Sequence, residues 1–184
     1  MLVRSYTESG YRPIPPIRLS DEEYAKALQC FVPVCADIVP INSANKFIYL
    51  AKRKTKPMLG WWWIGGRMMP HETKEEAAIR SFKRETDVSL TTDRLKLVAI
   101  LDYRCRDRAQ MPDNIGAHML GITFTVEPTP EELVHASQNL ERKEYDRTNG
   151  LTAFDRAGLV SKWVSDPVLE LYDHLFPPPK QLCC

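Results

Sequence analysis

Apolar and polar positions along this chain group into short runs separated by turn residues. The runs VCADIVPI, KFIYLAK, WWWI, LKLVAILDY and AHMLGITFTVE, rich in β-branched and aromatic residues, predict strands near 34–41, 46–52, 61–64, 95–103 and 117–127. Helices are predicted near 20–31, 74–86 and 166–175, the last opening at Asp166-Pro167. This order of elements gives an α/β chain with a mixed sheet flanked by helices. A Pro-rich extension over 1–18 precedes a single domain over 19–176, and 177–184 form a tail; no internal repeat is present.

The second helix carries the chemistry. Thr73 followed by Glu76 reads as an N-cap with its reciprocal glutamate. Ala78, Phe82 and Glu85 then fall on one stripe, with Ser81 beside it. The apolar members turn that stripe inward, so Glu85 lies at or near a buried face and needs a cation or several hydrogen bonds. The plainer alternative leaves Glu85 at an exposed helix end, paired with Lys83 or Arg84. Just upstream, Gly65 and Gly66 allow bare backbone to approach a phosphate or a metal.

Residues 65–90, GGRMMPHETKEEAAIRSFKRETDVSL, resemble the box of the Nudix hydrolases. Gly66, Glu72, Arg80, Phe82, Glu85 and Val88 stand at the box spacings. Three positions depart from it: Ser81 stands at the first catalytic glutamate, Arg84 at one of the paired glutamates and Asp87 at the glycine. Ile64 also replaces the proline that often precedes the two glycines. Retention of only the last glutamate is similar to the GDP-mannose mannosyl hydrolase branch. The similarity extends over about 18–165 and takes in LSDEEYAKALQCF, VPVCADIVPIN, the Lys52-Arg53 pair and AHMLGITFTVEP.

This resemblance implies a Nudix-type α/β/α sandwich and a hydrolase acting on a nucleoside diphosphate sugar. It places Asp37, Arg53, Arg67 and His118 against the substrate and Arg80, Glu85 and His118 in catalysis. It also places one Mg2+ or Mn2+ ion on Glu85 and the Gly65 carbonyl, the ion stabilising the departing diphosphate. The implied reaction is attack of water on the glycosyl carbon, releasing nucleoside diphosphate and free sugar, by a homodimer. Forked arginines suit diphosphate oxygens, although Arg80 could instead brace the loop through Glu72. The branch's Gln-His pair, which supplies metal ligand and base, is absent from QNLERKEYDRTNGLTAF; Glu144, Asp146 and His135 are the replacements at hand. Two other readings stand beside this one. One is pyrophosphohydrolysis of ADP-ribose or a related nucleotide, with Glu72 and Glu76 compensating; the other is a silent module that binds a nucleotide sugar.

Of the four histidines, His71, His135 and His174 read as exposed or structural, and His118 as functional or as a satisfied strand histidine. Trp61 and Trp63 are expected on one side of an extended strand and Trp62 on the other, all in core packing. A net charge of +1 with no long basic run gives no case for nucleic acid or acidic membranes. No apolar run approaches the roughly 20 residues of a membrane span, so a cytoplasmic location is expected. The five cysteines form no CxxC pair and fit a reducing compartment, with Cys183 and Cys184 in a frayed tail.

Overall fold

The computed structural model describes residues 3–178. The tail cysteines Cys183 and Cys184 therefore lie outside the described residues. In chain order the elements are α1 (Asp21–Cys30), β1 (Val34–Asn42), β2 (Phe47–Arg53), β3 (Gly60–Trp62), β4 (Ile64–Arg67), α2 (Lys74–Thr86), β5 (Lys96–Cys105), β6 (Ala117–Val126), α3 (Pro130–Asn139), β7 (Tyr145–Asp146), β8 (Thr152–Phe154), α4 (Arg156–Ser161) and α5 (Asp166–Leu175). The predicted helices are present, and so are the predicted strands apart from that over 61–64. α3, α4, β7 and β8 are additional to the expected elements, although Thr129-Pro130-Glu131-Glu132 builds a capping box that marks the start of α3. No helix among the described residues is long and apolar enough to cross a membrane.

Strand alternation sorts side chains into two cores. Ala36 and Ile38 of β1 join Phe124 and Val126 of β6 beneath Ala78 and Phe82 of α2 and Ala136 of α3. Val39 points the other way, into a cluster with Leu50, Trp63 and, from the C-terminal helices, Leu159, Val168 and Leu171. The sheet therefore lies between α2 and α3 on one face and α4 and α5 on the other, a three-layer α/β/α sandwich. Each fully buried aliphatic or aromatic side chain contributes roughly 1.5–3 kcal/mol, so these two layers are the main source of stability.

The sheet is mixed, with main order β3-β2-β1-β6-β5, and among the described residues only β1 and β6 run parallel. β1 and β2 pair through their backbones at the hairpin tip, where Ile41 faces Ile48 and Asn42 faces Phe47. Away from the tip they part company: β1 pairs with β4 over Cys35–Ile38, and β2 pairs with β3, β7 and β8. The result is a wedge between two half-sheets. Its apex is tied to the far layer by the Tyr172 hydroxyl of α5, which donates to the Lys46 carbonyl at 2.8 Å.

The segment expected as one strand over 61–64 is two. Trp63 falls between β3 and β4, where the chain leaves β2 and joins β1. That corner breaks the alternation expected of the three tryptophans. The rings of Trp62 and Trp63 pack on each other, with centroids 4.2 Å apart, and both lie near Tyr103. Trp61 alone turns to Phe154, 4.9 Å away edge to face. Core packing holds, but the sidedness is corrected.

Candidate functional site

The wedge opens into a cavity of about 380 Å³ roofed by α1, with Tyr24 and Leu28 among its lining residues. Asp37, Arg53, Gly65, Arg67, Arg80 and Glu85 all line it. They are far apart in sequence and converge because β1, β2, β4 and the C-terminal half of the box helix, α2, meet at the mouth of the wedge.

Asp37 sits in mid-sheet because two glycines make room. Gly65 is its partner across β1 and β4, and a Cβ there would stand 2.0 Å from Asp37 Oδ1. On the other flank a Cβ at Gly121 of β6 would stand 3.3 Å from Oδ2. The carboxyl is 7% exposed, and burial pushes its pKa from 3.8 up to about 7. The Trp63 indole and Arg53 lower it and the nearby Glu85 raises it, although the indole does not close to hydrogen-bond geometry. Burial also pushes the Cys35 thiol in the same cleft up to about 12, which leaves it inert as a nucleophile.

Glu85 is 1% exposed, so the inward reading of the α2 stripe holds and the exposed-end alternative does not. Both carboxylate oxygens are engaged: the Arg84 guanidinium donates to Oε1 and the Tyr145 hydroxyl to Oε2. Burial still raises its pKa, against the hydrogen bond from Tyr145 and the charges of Arg84 and Arg53. Tyr145 is positioned by β7, where it pairs with Arg53 of β2, and the Glu85 carbonyl accepts from Glu141 N at 2.8 Å. The Arg53 guanidinium lies 5.9 Å from the Tyr145 ring centroid and donates to Glu144 at 2.8 Å and Thr55 at 3.0 Å.

Arg80 takes the bracing role left open in the sequence. It forks onto both oxygens of Glu72 and donates to the Arg67 carbonyl at 2.9 Å, while Glu72 also accepts from Met69 N at 2.7 Å. Glu76 is committed to the α2 cap, accepting from Thr73 N at 2.8 Å. Neither acid is therefore free to supplement Glu85. Arg67 lies over the Tyr24 ring at 4.4 Å, a cation–π contact that steers its charge toward the cavity.

His118 is the one expected site residue the fold does not bring to the cavity. Its β6 neighbours Ala117 and Met119 line the cavity, so by strand alternation His118 faces the opposite side of the sheet. There its Nε2 lies 2.6 Å from Asp102 Oδ1, and Asp102 also accepts from Arg104 at 2.9 Å. Of the candidate replacement bases, Glu144 lines the cavity but pairs with Arg53. Asp146 binds Thr148, and His135 lies 3.0 Å from Asp87, both apart from the cavity lining. No sequence signal marks Tyr145 or the Ser81 hydroxyl as functional; Ser81 is fully buried, lines the cavity and has no hydrogen-bond partner.

The expected divalent ion can be tested against these residues. An ion at Glu85 would have to displace both a guanidinium and a phenol. No group of three His, Cys, Asp or Glu side chains converges among the described residues to complete its shell. The donor set does not fit a resident divalent ion.

Comparison with known proteins places the fold. Residues 32–156 match the NUDIX domain family. Among solved structures, a MutT NUDIX hydrolase from Burkholderia pseudomallei superposes with a TM-score of 0.57 at 18% identity, covering 78% of this chain and 98% of that one. A NUDIX hydrolase from Nitrosomonas europaea gives 0.55 at 15%, covering 79% and 88%. The E. coli dihydroneopterin triphosphate pyrophosphohydrolase gives 0.52 at 15%, covering 77% and 92%. No curated protein sequence matches the chain. At these identities the superpositions speak for the fold alone; the match over most of the chain, together with the wedge at the end of β1 and the box helix that floors it, makes this chain a member of the NUDIX domain family.

Proposed function

We propose that the cavity takes a nucleoside diphosphate sugar and hydrolyses it at the glycosyl carbon. The observation that carries this reading is the charge of the lining: seven Lys and Arg side chains face four Asp and Glu. Such an excess suits the two phosphates of a diphosphate bridge, and Arg53, Arg67 and Arg84 reach the cavity from three different elements. Cations arranged in this way stabilise a departing diphosphate; they do not prepare a hydroxide for attack on phosphorus. In the reaction, the water oxygen bonds to the anomeric carbon and the bond from that carbon to the bridging oxygen breaks. The electron pair leaves with the diphosphate, and Asp37 is the acceptor we assign to the proton. His118 has no part in this scheme.

Nudix enzymes generally use divalent ions. The test is therefore run with and without magnesium on a panel of nucleoside diphosphate sugars in heavy-oxygen water, with products read by phosphorus NMR. Nucleoside diphosphate without label in its phosphates is expected. Nucleoside monophosphate plus sugar phosphate would sink the reading.

A second reading, binding without turnover, is favoured by the engagement of both Glu85 oxygens. Calorimetric binding of a sugar nucleotide that survives prolonged incubation unchanged would favour it over hydrolysis.

A further inference from the structure

We infer that Arg84 occupies the place of a divalent cation at Glu85, so that the cavity accepts a diphosphate group directly, without a bridging metal ion. The inference rests on the diphosphate reading above for its ligand and on the local geometry for the role of Arg84.

Three observations meet at one point. First, Arg84 and Glu85 are consecutive on α2, and the guanidinium lies on the buried carboxylate while its own side chain stays about half exposed at the cavity. The positive charge that a buried carboxylate requires is thus supplied from the same helix. Arg84 stands where the resembling box would carry a further glutamate, so one substitution both removes an oxygen ligand and adds a cation. Second, the acids at hand do not make a shell: Glu72 is held by the Arg80 fork, Glu76 by the helix cap and Glu144 by Arg53, Tyr145 closes the second oxygen of Glu85, and Asp37 beside it leaves the pair short of three ligands among the described residues.

Third, polar groups without a protein partner line the same cleft. The Ser81 hydroxyl is fully buried and unpartnered, and Arg53 Nε is buried and unpartnered as well. A Cβ on Gly66 would lie 2.9 Å from Ser81 Oγ and 3.3 Å from Arg84 Nη2, so hydroxyl and guanidinium converge over bare backbone. Buried donors without acceptors are costly to maintain, and the oxygens of a diphosphate are acceptors of the right charge for all three side chains. The guanidinium groups, which only donate, find no acceptor on a water-bound magnesium ion. The arginines therefore call for an anion at this point, and the Ser81 hydroxyl can donate to it.

Two measurements on the full chain test the inference. Manganese binding is followed by electron paramagnetic resonance, and binding of inorganic pyrophosphate and GDP by calorimetry in EDTA and in magnesium. The wild type is expected to hold no stoichiometric manganese and to bind both probes equally well in the two buffers. Arg84→Gln should weaken the probes by about tenfold or more, and Arg84→Lys should recover part of that loss. Arg84→Glu should lose the probes in EDTA and gain a manganese site. Circular dichroism and melting temperature confirm that each variant is folded, as expected for a half-exposed position.

Stoichiometric manganese in the wild type that Glu85→Gln abolishes, or full probe affinity in folded Arg84→Gln, overturns the inference. Should neither probe bind the wild type in either buffer, the diphosphate reading fails on its own. Manganese in Arg84→Glu then decides the role of Arg84, its gain supporting the exchange of cation for ion and its absence overturning it.

Discussion

Asp37 occupies a mid-sheet position that only missing side chains permit. Gly65→Ala would place a methyl 2.0 Å from Asp37 Oδ1 and 2.7 Å from its Cα, and the paired backbones of β1 and β4 have no room to separate. The expected cost is about 2 kcal/mol in denaturant unfolding, with loss of anion binding. The same carboxyl should set a pH dependence. Its folded pKa of about 7 lies above the ordinary 3.8, so its contribution to stability is full below about pH 4 and is lost as the pH rises through 7. Wild-type unfolding free energy should therefore decline across that window, and Asp37→Asn should flatten the decline. Above pH 7 the variant should be the more stable by on the order of 2 kcal/mol, allowing for relaxation around the charge; equal pH profiles for the two proteins would refute this. At this scale the sequence is uneven as a guide. Glu85 can be placed from the stripe it shares with Ala78 and Phe82 on a regular helix, whereas Arg53 and Arg67 rest on the family resemblance. Tyr145 cannot be placed either way, because its reach to Glu85 depends on the pairing of β7 with β2 across more than ninety residues of chain. His118 shows the opposite limit: its strand is legible, but one residue of parity decides which face it serves, and the sequence does not state which face holds the cavity.

The box helix shows how an apparent irregularity can be structural. Asp87, at the place of the box glycine, is the C-cap of α2 in the left-handed region, at φ 59°. Glycine enters that region freely, whereas an aspartate does so at some cost. Asp87→Gly should stabilise the protein by about 1 kcal/mol, seen as a rise of roughly 2–4 °C in melting temperature. The lost contact to His135 is exposed and offsets little of this. A lower melting temperature would show that the His135 contact matters more than the backbone. Periodicity finds the long strands and α1, α2 and α5, but not α3, whose ten residues are as many as those of α1 and α5. It missed β7 and β8, of two and three residues, since so short a run carries no period. It also joined β3 to β4, because a corner made by bulky apolar residues reads like the strand it interrupts.

At the scale of the whole molecule, the wedge is a pair of tongs. Its arms, β1 with β4 and β2 with β3, are joined by backbone pairing at the hairpin tip, and the pivot is clasped by Tyr172 from the C-terminal layer. Arg53 rides on one arm and Arg67 on the other. A diphosphate gripped by both would act as a rivet across the gap. Amide exchange should therefore slow in β3 and β4 when pyrophosphate is added, while the pivot at Ile48 stays as it was; unchanged exchange in both arms would show that the ligand does not span them. Tyr172 clasps this pivot from the far layer and lines no part of the cleft, so Tyr172→Phe is expected to loosen the grip on pyrophosphate from the opposite side of the protein; unchanged affinity in calorimetry would refute this.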